Sequence, residues 1–171
     1  MDGLRRLDAL ALQEAREAFR RCCGSVRWAE RMAKGRPYAD EGALMAAAAR
    51  AFADLGREDW LEAFSHHPRI GDRPARASRF AATRRWSSAE QQSVGEASDE
   101  VRARLADRNR AYEERFGYTF IVSATGRTAS EMLAAVEERL GNEPERELTL
   151  AAAEQAKITT IRLKKLLAEV P

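Results

Sequence analysis

The sequence predicts an all-α fold in a single domain over residues 1–171, and three observations predict it. Ala, Leu, Glu and Arg dominate the composition, and these are strong helix formers. β-branched residues are thin except near 119–125 and 158–161. Apolar residues recur at spacings of three and four, the period of a helix that buries one face. A chain of 171 residues, 44% hydrophobic and 33% charged, can bury one core of ordinary size.

The elements follow in order. Asp8 is placed to cap a first helix running to about Cys23, with Gly24 as its stop. Ser25 opens a second, short helix with Trp28 and Met32 on one face, which ends before Pro37. Asp40 caps a third, whose apolar positions are Leu44, Ala48, Phe52 and Leu55, and Gly56 closes it. A further turn or two from Asp59 sets Trp60 and Phe64 on one face. It ends by His67, because the residue before a proline is pushed out of the helical region.

Residues 68–86 read as a long loop, punctuated by Pro68, Gly71 and Pro74 and rich in arginine from Arg69 to Arg85. Helix resumes at Ser87. Between Gly95 and Gly117, Val101, Leu105, Arg108, Tyr112 and Phe116 form one stripe. The run Tyr118 to Ala124 is extended by propensity, yet no second such run exists to pair with it. It reads as a buried linker whose backbone polar groups need other partners. Thr128 and Glu131 form a capping box for a helix that stops at Gly141, and Pro144 opens a long final helix through Leu148, Gln155, Ile158, Arg162 and Leu166.

A net charge of +2 gives no basis for a nucleic-acid or membrane partner, and no segment reaches membrane-spanning length. Cys22 and Cys23 are adjacent, so they offer neither a long-range cross-link nor metal-ligand spacing. A reducing compartment, and hence the cytoplasm, is expected. Acids and arginines interrupt the first residues, which therefore lack the apolar run of a signal peptide.

Three side chains stand out chemically. His67, next to Pro68 at a helix end, sits at the mouth of the Arg-rich loop, and histidine ordinarily changes charge near neutral pH. The alternative is a loop-rim histidine without a role. Glu90 completes a Ser87–Glu90 capping box, or it orients the His67 ring and raises its basicity. Arg162, among Ile158, Ile161, Leu163 and Leu166, is a snorkelling edge residue or a buried anion receptor. The arginines of 69–85 could instead serve a helical binding module that grips an acidic partner through that loop.

Ordered stretches carry a resemblance. These are Phe19-x-x-Cys22-Cys23-Gly24-Ser25 with Trp28 and Arg36-Pro37, then Asp59-Trp60, His66 to Asp72 and Ser87-x-x-Glu90-Gln91. Arg115 to Val122, Glu138 to Asn142 and Glu154 to Leu163 complete the set. Together they resemble the OHCU decarboxylases, the 2-oxo-4-hydroxy-4-carboxy-5-ureidoimidazoline decarboxylases of urate breakdown, across nearly the whole chain.

The resemblance implies an all-α homodimer that uses no metal or organic cofactor and takes a small ureidoimidazoline carboxylate. It maps the catalytic histidine onto His67, leaving His66 incidental, and the catalytic glutamate onto Glu90. Substrate contacts map onto Pro68, onto Ser87, Ser88, Ala89 and Gln91, onto the backbone of Phe120, Ile121, Val122, Ser123 and Ala124, and onto Arg162. It implies decarboxylation to (S)-allantoin and carbon dioxide, with His67 and Glu90 moving a proton at the hydroxyl-bearing carbon or its hydroxyl.

Overall fold

A computed structural model of the chain describes residues 2–71 and 83–169. Among these residues the all-α class holds: there are ten helices and no strand. In order they are α1 (Gly3–Ala9), α2 (Leu12–Cys22), α3 (Val26–Lys34), α4 (Glu41–Ala53) and α5 (Arg57–Ser65), followed by α6 (Arg84–Glu90), α7 (Gln92–Gly95), α8 (Asp99–Phe116), α9 (Ala129–Arg139) and α10 (Pro144–Glu169). The chain divides into two compact units, one of Met1–Ala63 with Ala156–Pro171 and the other of Phe64–Gln155.

In the first unit α2 packs on α3 and α3 on α4. Trp28 centres this core, edge-on to Phe19 at 6.0 Å, and its indole N–H donates to the Ala48 carbonyl at 3.1 Å. Ser25 caps α3 and Asp40 caps α4, as the sequence predicts.

The expected first helix is instead two. Asp2, not Asp8, caps α1, and Leu10 leaves the helix with extended backbone. Asp8 lies inside α1, where its carboxylate accepts the Tyr38 amide at 3.2 Å. The break is stabilised from a distance: Arg36 Nη1 donates to the carbonyls of Leu7, Asp8 and Leu10 at 2.7, 3.2 and 2.9 Å. Carbonyls at a helix end need such partners, and a cation 26 to 29 residues away cannot be read from local sequence. Farther on, α4 gives way at Asp54 rather than Gly56, and α5 starts two residues before Asp59.

In the second unit α8 packs on α9 over a core that includes Ile70, Leu105, Tyr112, Phe120, Val122, Met132 and Val136. Within the predicted α8 stripe Arg108 is exposed, and Asn109 takes the inward place. Gly117 ends α8 at φ +80°, the left-handed cap that glycine accepts without strain. Thr128 and Glu131 form the predicted capping box of α9.

Helix resumes at Arg84, three residues before Ser87, so the Arg-rich loop ends at Thr83; residues 72–82 of it lie outside the described residues. Burial of Trp86 and Ser87, 3% and 4% exposed, accounts for the early start.

Candidate active site

The residues described first all belong to the unit Phe64–Gln155. After α5 the chain turns, with the His67 amide donating to the Phe64 carbonyl at 3.1 Å and Pro68 preventing further helix. The half-buried ring of His67 places Nε2 2.7 Å from Oε1 of Gln155, which is fully buried on α10. Ile70 anchors the turn in the core, and its carbonyl accepts from Asn109 Nδ2 at 2.7 Å. Arg69 makes two bonds to Glu113, at 2.7 and 2.5 Å. Gly71, at φ +87°, gives its amide to Gln91 Oε1 at 3.0 Å.

That last bond ties the His67 turn to the end of α6. Ser87 lies inside α6, with its carbonyl accepting the Gln91 amide at 3.1 Å, so it is not an N-cap. The Ser87–Glu90 capping box is therefore absent, because the helix begins a turn earlier than the sequence suggests. Glu90 closes α6, half-buried, next to Gln91; Ser88 and Ala89 are exposed.

The extended segment runs through the core without a strand partner. Phe120, Ile121, Val122 and Ala124 are 1–6% exposed, and Ser123 is half-buried. Three backbone groups have partners. The Ile121 carbonyl accepts from Arg139 Nη1 at 2.7 Å, the Ser123 amide donates to Glu154 Oε2 at 2.7 Å, and the Ala124 carbonyl accepts from the Arg127 amide at 3.0 Å. Among the described residues, the amides of Phe120, Ile121, Val122 and Ala124 have no hydrogen-bond partner within the chain. A run of idle amides in a well-packed segment is uncommon.

A buried polar cluster holds this segment. Arg139 bonds Glu147 at 2.7 Å through Nε and stands over the Phe120 ring at 4.6 Å. Glu147 also accepts from the Tyr112 hydroxyl and, at 2.8 Å, from Asn142 Nδ2. Burial first, and then the Glu147 carboxylate, push the Tyr112 phenol well above its ordinary range, so it stays a neutral donor.

Three candidate segments, the His67–Gly71 turn, the end of α6 and residues 120–124, are thus linked through Gln91 and through the consecutive α10 residues Glu154 and Gln155. Arg162 belongs to the other unit; at 3% exposure it is no snorkelling edge residue, and its charge acts on the Cys22 and Cys23 thiols. Sequence reasoning gave no role to Arg139, Glu147, Glu154 or Gln155. Their signal was a polar side chain on an inward helical position, Arg139 continuing the stripe of Met132 and Val136, and Gln155 that of Leu148 and Ile158. Among the described residues no three His, Cys, Asp or Glu side chains are grouped to hold a metal ion.

Residues 8–164 match the family model described as OHCU decarboxylase. The chain is 37% identical over 160 residues to the uric acid degradation bifunctional protein TTL of Arabidopsis thaliana, covering 94% of this chain and 49% of that protein. It thus spans about half the length of that relative. It is 31% identical over 135 residues to the 2-oxo-4-hydroxy-4-carboxy-5-ureidoimidazoline decarboxylase of Haloferax volcanii, covering 79% of this chain and 77% of that one. A crystal structure of OHCU decarboxylase in the presence of (S)-allantoin superposes with a TM-score of 0.75 at 36% identity, covering 88% of this chain and 97% of that one.

Proposed function

Because the chain belongs to the OHCU decarboxylase family, we propose that it converts 2-oxo-4-hydroxy-4-carboxy-5-ureidoimidazoline to (S)-allantoin and carbon dioxide, a carboxy-lyase step of urate degradation. One arrangement carries this reading: the His67 turn and the end of α6 are tied to each other, and consecutive α10 residues hold His67 and, through the Ser123 amide, a segment of idle amides. Such amides suit the carbonyl oxygens of a ureido group and of an imidazoline ring.

The substrate carries its hydroxyl and carboxylate on one carbon, beside a C=N bond. When the bond to the carboxylate breaks, its electron pair forms a C=C bond to the ureido-bearing carbon, and the C=N pair moves onto nitrogen. The substrate is its own electron sink. Carbon dioxide leaves, the ring nitrogen takes a proton, the hydroxyl loses its proton as a carbonyl forms, and the ureido-bearing carbon takes a proton from one face. Net uptake is one proton. The new C–H bond therefore lies on the ureido-bearing carbon; of the two places expected above, the hydroxyl-bearing carbon or its hydroxyl, the hydroxyl is the one that exchanges a proton.

His67, with Glu90 beside Gln91, moves these protons. Pro68, Ser87, Ser88, Ala89, Gln91 and the 120–124 backbone hold the ring and ureido groups in a reactive orientation. Arg162 receives the substrate's negative charge. The protein works as a homodimer in the cytoplasm; two free, buried thiols suit a reducing compartment.

The test generates the unstable substrate in place with urate oxidase and hydroxyisourate hydrolase, then follows the optical activity of the allantoin formed. The S form should accumulate at a rate proportional to added protein. A rate and handedness equal to those of the spontaneous reaction would overturn the proposal. Sedimentation at the monomer mass would remove the dimer.

A further inference from the structure

Gln155 is fully buried on α10, and its side-chain oxygen meets Nε2 of His67 at 2.7 Å. An amide oxygen accepts hydrogen bonds and never donates, so with the amide in this orientation the contact places the hydrogen on Nε2.

We propose that Gln155 is a positioning residue for the decarboxylation put forward above, on which this inference rests: by accepting the Nε2 hydrogen it fixes the orientation and tautomer of His67, so that the ring exchanges protons through Nδ1. Three features support this role. Gln155 is neutral, so it sets the ring without holding it permanently as imidazolium. It stands on a long helix, which is a more rigid support than a loop. Its neighbour Glu154 accepts the Ser123 amide at 2.7 Å, so consecutive residues locate both the proton-transfer ring and the amide-rich segment. Two charged pairs are formed by residues adjoining these elements: Arg69 is bonded to Glu113, and Glu154 lies 3.8 Å from Arg127.

The chain has two histidines, so a His66→Asn variant leaves one imidazole to observe. ¹⁵N shifts of that ring, taken above its pKa in the full-length protein, should report the Nε2–H tautomer. A dominant Nδ1–H form, or an even mixture, would overturn the proposal without any variant of Gln155. In Gln155→Leu the tautomer preference should fade, and kcat should fall ~10-fold or more while KM stays within ~3-fold. In the near-isosteric Gln155→Glu, the carboxylate favours the imidazolium and should move the histidine limb of the kcat/KM profile upward by about one pH unit. Unchanged tautomer and unchanged pH profile in both variants would also overturn it. The NMR measurement needs no turnover: inactive wild-type protein with a fixed Nε2–H ring would remove the decarboxylase reading and leave the lock standing.

Discussion

At position 67 the backbone acts before the ring does. Pro68 forbids another helical turn, Ile70 is sunk in the core, and Gly71 hands its amide to Gln91, so the histidine is aimed by its neighbours. A His67→Asn exchange should lower kcat/KM ~100-fold or more while lowering the thermal midpoint by only a few degrees, since the ring is half-buried and its loss leaves one buried acceptor, on Gln155, to find another donor. Steady-state rates beside a melting curve check this, and retained activity would remove the histidine from the mechanism.

Arg139 poses the opposite case. Its partner Glu147 is fully buried, so Arg139→Met strands a carboxylate and should cost about 3 kcal/mol in urea unfolding. It also releases the Ile121 carbonyl, so KM should rise in whatever remains folded. Burial raises the Cys22 thiol strongly and the Cys23 thiol to about 11. Neither should react with a thiol reagent at pH 8 in the native protein, and both should react in denaturant.

Among the elements, those with local start signals were legible. Ser25, Asp40 and Thr128 cap the helices the sequence assigned to them, because a side chain three residues from its amide is a local matter. Thr128→Ala should destabilise the protein by about 1 kcal/mol in urea titration. Its partner Glu131 has a lowered pKa, first because it accepts the Thr128 amide. The stabilisation is therefore present above the ordinary glutamate range and fades as pH falls through the depressed value. Glu131→Gln should accordingly cost less in acid than at neutral pH.

Elements settled by distant contacts were not legible. Arg36 collects the carbonyls that split the first helix, and burial of Trp86 starts α6 early. Gly3 makes the same point: a Cβ there would lie 1.9 Å from the Leu167 carbonyl oxygen, so Gly3→Ala should lower the melting temperature by several degrees.

For the molecule as a whole, the all-α class followed from composition and period, and family membership from ordered motifs spread over the chain. The segment 118–124 was legible as a linker because its propensity had no pairing partner. That Arg139 and Glu154 engage two of its backbone groups, while neighbouring amides stay idle, depends on helices far along the sequence. Gln155 escaped for a related reason: an amide on an inward helical position gives no sign of which ring it will meet. Glu90 was obscured by a plausible capping box that an earlier helix start abolishes.

On the proposed function, the 120–124 backbone and the His67 turn form one ligand surface. Amide and imidazole NMR of the full chain, titrated with (S)-allantoin and separately with (R)-allantoin, tests it most directly. The account predicts that the S form shifts the amides of Phe120, Ile121, Val122 and Ala124 together with the His67 ring, all along one saturation curve, and that the R form binds more weakly. Shifts at His67 and at the 120–124 amides that follow different curves, or no response to the S form in either place, would contradict it.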